Sequence, residues 1–252
     1  MSVMEKVCIM GIEYANATLA EIADECFSYT ASREAKTVVT PNGEIAERAY
    51  KDREFGRVIG AADLAVPDGV SVKLAAKRCG KPIKERVPGV ELAQELIKRL
   101  DASGGSLFLF GGEQGVADDA AKNVSVAFPG LKIAGVQNGF YDDDADIIAN
   151  INAASPDVLF VCLGSPKQER WMIANRDALS CGVMLGLGGT LDVLAGRVKR
   201  APAFWRKIGC EWLYRTVKQP SRIKRIIKIP VFVLASRRRT RKLEKQRCED
   251  ER

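Results

Sequence analysis

The sequence contains no histidine among its 252 residues. Histidine is the usual general base of Ser-His-Asp and Cys-His nucleophile systems and a common zinc ligand, so its absence excludes these sites. Any general base in this protein must therefore be Asp, Glu, Lys, Tyr or Cys.

The seven cysteines form no CxxC pair, and their number is odd. Several lie inside apolar, strand-like runs, as Cys8 does in VCIMGI and Cys162 does in VLFVCLG. This pattern is typical of buried, reduced thiols in a cytosolic protein. Cys162 is also placed where a nucleophile could act, but no histidine exists to activate it.

The chain also lacks a long hydrophobic run. Its start, MSVMEKVCIMGI, has no long apolar core followed by a cleavage site, so we expect no signal peptide. No run reaches the ~18 apolar residues that are needed to span a bilayer. We therefore expect a protein that is made and kept on the cytoplasmic side.

Charge is distributed unevenly along the chain. Residues 197–252 hold 19 Lys and Arg against 5 Asp and Glu, whereas residues 1–196 have a net charge of −7. An acidic body with a basic tail needs an anionic partner, which is a nucleic acid, an anionic membrane or a phosphorylated substrate. The tail also contains Trp205, Trp212 and an apolar stretch at 226–235, which suits helices lying on a surface.

Short apolar runs alternate with helical patterns up to residue 196. The runs that predict strands are VCIMGIEY, KTVVTPN, ADLAVPDG, GSLFLFGG, LKIAGVQNG, PDVLFVCLGSP and CGVMLGLGGT. The predicted helices are 17–31, 43–54, 70–78, 90–103, 115–127, 143–153 and 167–179. Single helices between strands indicate an α/β fold with a Rossmann-like, mostly parallel sheet flanked by helices. We expect this body at 1–196 and a basic helical appendage at 197–252.

Polar residues and glycines follow several of these strands, and ligands of open α/β sheets bind outside the carboxyl ends of strands. The stretch PKQERW, at 166–171, follows a buried run, so Lys167 and Gln168 are predicted at this edge. Gly111 and Gly112 end another strand, where small residues let backbone N–H groups approach a diphosphate. A plain tight turn is the alternative for this glycine pair.

Other strand ends carry candidate ligand-binding side chains. Asp68 is an acceptable base for a sugar hydroxyl, although Asp-Gly is also a common turn. Thr40 and Asn42 can hydrogen-bond a ligand, with a helix cap as the favoured alternative for Asn42. Arg86 can bind phosphate or be only solvated. For the acidic run 142–144, a solvated helix N-terminus is favoured over a cation site.

The order of the motifs is more informative than any of them alone. Over roughly residues 5–228 the chain reads TPNGEIAERA, PDGVSV, ERVPGVEL, LFLFGG, NGFYD, PDVLFVCLGSPKQERW, GLGGTLDVLAGRVKRAP and EWLYRTVKQPSRIKR. This series closely resembles the WecG/TagA/CpsF glycosyltransferases, which are glycosyltransferase family 26. The residues after Lys228 extend past the family motifs, and we expect only membrane contact from them.

The resemblance implies an inverting enzyme that needs no metal and no other cofactor. It would transfer a sugar, often N-acetylmannosamine, from a UDP-sugar to undecaprenyl-diphosphate-linked N-acetylglucosamine, for wall teichoic acid or related surface polysaccharides. Asp68 matches the proposed catalytic base, and Thr40 matches its polar neighbour. Residues that match the lining of the nucleotide-sugar pocket are Asn42, Arg86 and Gln168, and those that match arginines holding the acceptor diphosphate are Arg215, Arg222 and Arg225.

Several alternatives stay open at the level of sequence. UDP-N-acetylmannosaminuronate and UDP-glucose are further donors within the same family. A nucleic-acid-binding α/β protein would use the basic tail, although no helix-turn-helix, RRM or OB signature is present. A non-catalytic, membrane-associated nucleotide-binding module is a third class. The sequence does not decide between a monomer and a homo-oligomer.

Overall fold

A computed structural model describes residues 4–198 and 228–250, and an eight-stranded sheet forms its centre. The strands are β1 (Lys6–Ile9), β2 (Ile12–Ala15), β3 (Lys36–Val39), β4 (Leu64–Ala65), β5 (Ser106–Gly111), β6 (Lys132–Gln137), β7 (Val158–Cys162) and β8 (Val183–Gly186). They lie in the order β1-β2-β4-β3-β8-β7-β5-β6, and only β1 and β2 pair antiparallel.

Helices cover both faces of this sheet. They are α1 (Leu19–Ser28), α2 (Gly43–Lys51), α3 (Arg53–Gly60), α4 (Val70–Arg78), α5 (Gly89–Ser103), α6 (Val116–Ala127), α7 (Asp144–Ala154), α8 (Lys167–Asn175), α9 (Thr190–Leu194) and α10 (Lys228–Asp250). One core lies under α2, α3, α4, α7, α8 and α10, and the other lies under α1, α5, α6 and α9. Every residue of β7 is buried, as a strand covered on both faces requires. The predicted α/β class is confirmed.

The run VCIMGIEY was predicted as one strand, and this prediction is wrong. The chain reverses at Met10 and Gly11, whose φ angles are 54° and 85°. A two-residue turn with positive φ at both positions matches the twist of an antiparallel hairpin, and Ile9 accordingly pairs with Ile12. The hairpin makes β1 an antiparallel edge strand.

The single helix predicted at 43–54 is in fact two helices. Asp52 has an extended backbone between α2 and α3, and its carboxylate accepts a hydrogen bond from the Phe55 backbone N–H. An Asp in this conformation caps a new helix, so the chain bends there. The bend buries Phe55 and Ile59 of α3 in the core.

The connections place one crevice at the middle of the sheet. Strands β3 and β8 are neighbours at the middle of the sheet. From β3 the chain continues to β4 on one side, whereas the chain enters β8 from β7 on the other side. The loops that follow β3 and β8 therefore diverge. Ligands of open α/β sheets bind at such a switch point.

Helix α10 belongs to the predicted appendage, and it packs directly on α4, α2 and β1. Phe232, Ser236 and Thr240 are buried in this contact, and the Met10 backbone N–H donates a 2.9 Å hydrogen bond to Thr240 Oγ1. None of the helices within 4–198 and 228–250 is long and apolar enough to cross a bilayer.

Candidate active site

Thr40 lies at the switch point, directly after β3. Its hydroxyl is buried and donates a 2.8 Å hydrogen bond to the carbonyl of Gly186, the last residue of β8. This bond joins the two strand ends that border the crevice. Because the hydroxyl proton is engaged, the oxygen of Thr40 is left as a hydrogen-bond acceptor toward a ligand.

Asp68 lies at the adjacent strand end, three residues after β4. Val66 N–H bonds to Val39 O at 2.8 Å, which carries the β3–β4 pairing up to the Asp68 turn. Gly69 then adopts a φ of 83°, which turns the chain into α4 without the strain that a side chain would meet. The carboxylate of Asp68 is half-buried, so it lies at the surface of the crevice rather than in the core.

Tyr14 lies near Asp68 and is fully buried. Its hydroxyl has no hydrogen-bond partner among the described residues. Burial raises the pKa of Tyr14, and the negative charge of Asp68 raises it further. The hydroxyl therefore stays protonated at neutral pH. Sequence reasoning did not single out Tyr14, because an aromatic residue in an apolar run carries no functional signal.

Asn42 caps α2, as the structural alternative predicted. Its side-chain oxygen accepts hydrogen bonds from the backbone N–H groups of Glu44 and Ile45, at 2.9 and 3.2 Å. A Cβ added to Gly69 would lie 3.4 Å from the Cβ of Asn42, so the turns after β3 and β4 are in contact. The side-chain amide NH₂ of Asn42 is the group that can still bind a ligand at this position.

Arg86 is held next to the Asp68 turn. The neighbouring Val87 N–H donates a 3.0 Å hydrogen bond to Pro67 O, which ties the ERVPG loop to the residue before Asp68. Arg86 is half-buried, and no described carboxylate forms an ion pair with it. Directly after this loop, α5 begins at Gly89, where an added Cβ would lie 3.4 Å from Thr40 Oγ1. The positive N-terminal end of a 15-residue helix thus meets the crevice.

Gln168 borders the crevice from the opposite side, in the first turn of α8. It is 2% exposed, and its Oε1 accepts a 2.9 Å hydrogen bond from the backbone N–H of Gly188, in the loop after β8. Its Nε2 donates a 2.9 Å hydrogen bond to Oε1 of Glu169, which is 1% exposed. Sequence reasoning missed Glu169, although it stands in the motif GSPKQE, where a carboxylate so near a buried strand was the available signal.

The last residue of PKQERW anchors α8 to the sheet. Trp171 packs edge-on against Phe110 of β5, with ring centroids 4.9 Å apart, and its Nε1 donates a 2.8 Å hydrogen bond to Asp144. Asp143 caps α7 by accepting from Ala145 N–H. The acidic run 142–144 therefore serves a helix N-terminus, as the structural alternative predicted.

Gly111 and Gly112 form a tight turn farther along the sheet edge. Their φ angles are 124° and 73°, and a Cβ on Gly111 would lie 2.3 Å from the carbonyl oxygen of Cys162. Gly112 N–H donates to that same oxygen at 3.2 Å, so this donor is used within the fold. The pair lies at the end of β5, which β7 separates from β8. The tight turn explains why both positions are glycine, and diphosphate binding by this loop stays a prediction.

Cys162 ends β7 and is buried. Burial raises its pKa to about 12, so the thiol stays protonated at neutral pH and is a poor nucleophile. The other described cysteines are also unpaired, and they are Cys8, Cys26, Cys79 and Cys181. Of these five, Cys26, Cys162 and Cys181 are buried, whereas Cys8 and Cys79 are half-buried, and the reduced state of the thiols stays a prediction.

The tertiary structure thus gathers the predicted residues unequally. It groups Thr40, Asn42, Asp68 and Arg86 on one side of the crevice, and it places Gln168 on the other. It sets Gly111 and Gly112 apart. The tail arginines lie outside the described residues, and they are Arg215, Arg222 and Arg225.

Comparison with known proteins places this geometry in context. Residues 7–246 match the glycosyl transferase WecG/TagA/CpsF family. The match continues past Lys228, where the sequence showed no family motif, through most of α10. A relative from Bacillus spizizenii is 35% identical over 208 residues, which cover 82% of this chain and 81% of that protein. A relative from Staphylococcus aureus strain MW2 is 32% identical over 243 residues, which cover 95% of each chain. Both relatives are named N-acetylglucosaminyldiphosphoundecaprenol N-acetyl-beta-D-mannosaminyltransferase.

Proposed function

The chain belongs to the WecG/TagA/CpsF family of glycosyl transferases, and we propose that it moves N-acetylmannosamine from a UDP-sugar to undecaprenyl-diphosphate-linked N-acetylglucosamine. The named activity of the two relatives, at 32–35% identity over most of the chain, supports this reaction. The product would enter wall teichoic acid or another surface polysaccharide.

The observation that supports the proposal is that Asp68 follows β4 at the carboxyl edge of the sheet, where β4 pairs with β3 and Thr40 follows β3. In the proposed step the Asp68 carboxylate takes the proton of the acceptor hydroxyl. The hydroxyl oxygen forms a bond to the anomeric carbon, while the bond from that carbon to the UDP oxygen breaks and its electron pair leaves with UDP. A single displacement of this kind inverts the anomeric centre and needs one base, whereas hydrolysis commonly uses two carboxylates.

The donor would occupy the crevice between the two groups of residues. Asn42 and Arg86 flank Asp68 on one side, and Gln168 lies on the other. The diphosphate gains negative charge as the bond to the sugar breaks. The guanidinium of Arg86 and the N-terminus of α5 are suited to stabilise that charge, because both present positive charge where water is partly excluded.

The acceptor would be held by the tail, at the inner face of the cytoplasmic membrane. By family position, Arg215, Arg222 and Arg225 would bind the diphosphate of the lipid, for which the planar guanidinium is suited by its paired N–H donors. The net positive charge of residues 197–252 would favour an anionic membrane surface.

We expect transfer to proceed without a metal ion. Arginine and backbone N–H groups take the part that a divalent cation plays in metal-dependent transferases, so activity should survive excess EDTA. The test is a donor panel with a synthetic short-chain lipid-diphosphate-N-acetylglucosamine, with and without EDTA. It contains UDP-N-acetylmannosamine, its uronate and UDP-glucose, and we expect transfer from the first.

Two outcomes would count against parts of this proposal. Loss of activity in EDTA that Mg²⁺ or Mn²⁺ restores would move charge stabilisation from the protein to an ion. Preference for the uronate or the glucose donor would change the substrate and leave the reaction class standing. No transfer from any of the three, by protein that still binds UDP, would contradict the enzyme assignment.

A further inference from the structure

The loop between α4 and α5 carries Arg86, and it lies across the carboxyl ends of two neighbouring strands. Strand β2 pairs in parallel with β4, so the residues that follow these two strands meet at the same edge of the sheet. Asn16 comes directly after β2, and Pro67 lies two residues after β4. Both of these residues hold the loop.

Two hydrogen bonds fix the backbone of this loop on either side of Arg86. The Lys84 backbone N–H donates to the side-chain oxygen of Asn16 at 2.8 Å. The Val87 backbone N–H donates to the Pro67 carbonyl at 3.0 Å. Arg86 therefore stands between one hydrogen bond to the end of β2 and another to the turn that follows β4.

Asn16 is oriented for this contact by its own surroundings. It is 7% exposed, and its backbone N–H donates a 2.8 Å hydrogen bond to the Glu5 carbonyl. Its side-chain NH₂ donates a 2.9 Å hydrogen bond to the Glu5 carboxylate, so the amide oxygen is the atom that faces Lys84. Thr18 is the residue that caps α1, which leaves the Asn16 side chain to the loop.

Glu85 directs its charge away from Arg86. Its carboxylate accepts a 2.9 Å hydrogen bond from the Leu19 backbone N–H, at the first residue of α1. A helix N-terminus carries partial positive charge, which favours a carboxylate there. Lys84 faces the same helix, where its ammonium lies 3.8 Å from the Glu21 carboxylate. The two charged residues before Arg86 are therefore both engaged at α1.

Arg86 keeps its positive charge available as a result. It is half-buried, and no carboxylate within residues 4–198 and 228–250 forms an ion pair with it. Lys84, Glu85 and Arg86 are consecutive, yet only the first two are engaged by described residues at α1. An arginine held in this way is suited to a ligand phosphate, because its paired N–H donors match two phosphate oxygens.

We propose that Asn16 and Glu85 are positioning residues that hold Arg86 toward the donor diphosphate. The inference rests on the proposed function, in which Arg86 flanks Asp68, and it adds the residues that keep Arg86 there. Without these contacts the loop would have to become ordered when the donor binds, and that loss of freedom would weaken binding. Neither residue is required to touch the donor, because each acts through Arg86.

The first test measures UDP binding by the full chain with Asn16→Leu, which keeps a similar side-chain volume and lacks the amide oxygen. UDP is the probe because it carries the diphosphate and depends on neither the sugar nor the acceptor. The dissociation constant for UDP should rise about 3- to 10-fold, since a hydrogen bond that orders the loop is lost.

The matched control is Asn152→Leu. The Asn152 side chain also holds a loop, since its oxygen accepts from the Ser180 backbone N–H at 2.7 Å and its NH₂ donates to the Ala178 carbonyl at 2.8 Å. This loop precedes β8, so it lies at the opposite edge of the parallel strands. Both leucine variants should lower the melting temperature, but only Asn16→Leu should weaken UDP binding.

Glu85 provides a second variant, which leaves the buried Asn16 side chain in place. Glu85→Ala removes the acceptor for the Leu19 N–H and should raise the UDP dissociation constant about 2- to 5-fold, because this contact is half-buried. Glu85→Gln keeps an oxygen acceptor and should bind UDP like the wild type. If Asn16→Leu fails to fold, Glu85→Ala takes its place in the experiment that follows.

A double-mutant cycle decides whether these residues act through Arg86. Arg86→Ala should weaken UDP binding about 10-fold or more, since charge-assisted hydrogen bonds to the diphosphate are lost. Adding Asn16→Leu to Arg86→Ala should change UDP binding by less than about twofold, because the group that Asn16 positions is already absent. A purely structural role would give the same loss in both backgrounds.

Several results would overturn the inference. They are wild-type UDP binding in both Asn16→Leu and Glu85→Ala, full additivity in the cycle, an equal loss of UDP binding in Asn152→Leu, and wild-type UDP binding in Arg86→Ala. Sugar transfer by the wild-type chain would leave the proposed function standing in each of these cases. Normal UDP binding with no sugar transfer by the wild type would count against the proposed function instead.

Discussion

The Asp68→Asn variant should lose about 10²–10⁴-fold in kcat, which is the usual effect of removing a general base. An amide has the shape of the carboxylate but cannot take a proton, so the acceptor hydroxyl would have to attack while still protonated. UDP binding should change little, because the donor pocket is built from other side chains. Single-turnover transfer and UDP calorimetry would measure the two effects separately.

A matched control for this variant is Asp142→Asn, which removes the same charge from an exposed position before α7. It should keep wild-type transfer. Tyr14→Phe is a second variant to measure, because it removes a buried hydroxyl near Asp68 without changing the shape of the core. Turnover of Asp68→Asn near that of the wild type would remove Asp68 from the mechanism, and another carboxylate or a lysine would then have to be considered for the base.

Replacing Arg215 and Arg222 with Ala should reduce kcat/KM for the lipid-linked acceptor by about 10²-fold, because each would hold oxygens of the acceptor diphosphate by charge-assisted hydrogen bonds. Membrane attachment should fall much less, since 17 other basic residues remain after position 196. The measurements are kcat/KM for the lipid-linked acceptor and sedimentation with anionic vesicles. Point substitution is preferable to truncation after Gly196, which would also remove α10 and expose the apolar surface that it covers on α4 and β1.

A matched control is Lys242→Ala with Lys245→Ala, which removes two exposed basic residues from the same tail. It should keep transfer to the lipid-linked acceptor near the wild-type rate, whereas the Arg215 and Arg222 variant should lose transfer. If the Arg215 and Arg222 variant transferred sugar at the wild-type rate, the tail would be only an anchor. The acceptor site would then have to lie among the strand ends around Thr40, Asp68 and Gln168.

Helix and strand boundaries illustrate how far local signals extend. The predicted helix 70–78 is α4, and the predicted helix 115–127 differs from α6 by one residue. Periodicity locates such segments well because a buried face repeats along the helix. Periodicity failed at 43–54, because the cap at Asp52 divides a continuous helical pattern. It also failed in VCIMGIEY, because the residue type of Met10 does not predict its positive φ.

The candidate site shows the same difference between roles that local sequence indicates and roles that depend on distant residues. Asn42 and Gly111 have local roles, and local chemistry indicated both, as a helix cap and as a tight turn. Glu169 and Tyr14 were missed because their meaning depends on burial and on neighbours that are distant in the chain. Glu169 acts on the loop after β8 through Gln168, and Tyr14 lies near a strand end more than 50 residues away.

The amino-acid sequence by itself determined the fold class, the absence of histidine chemistry and, through the order of its motifs, the family. The first two follow from periodicity and composition, and the family follows from the resemblance of the motif series to known sequences. Only the tertiary structure decided which strand ends meet, because the strand order separates β5 from β8 and brings Thr40 against Gly186. It also decided that α10 lies on α4, with Phe232, Ser236 and Thr240 buried. Both results come from burying the apolar faces of distant segments against each other, a long-range choice that local patterns do not contain.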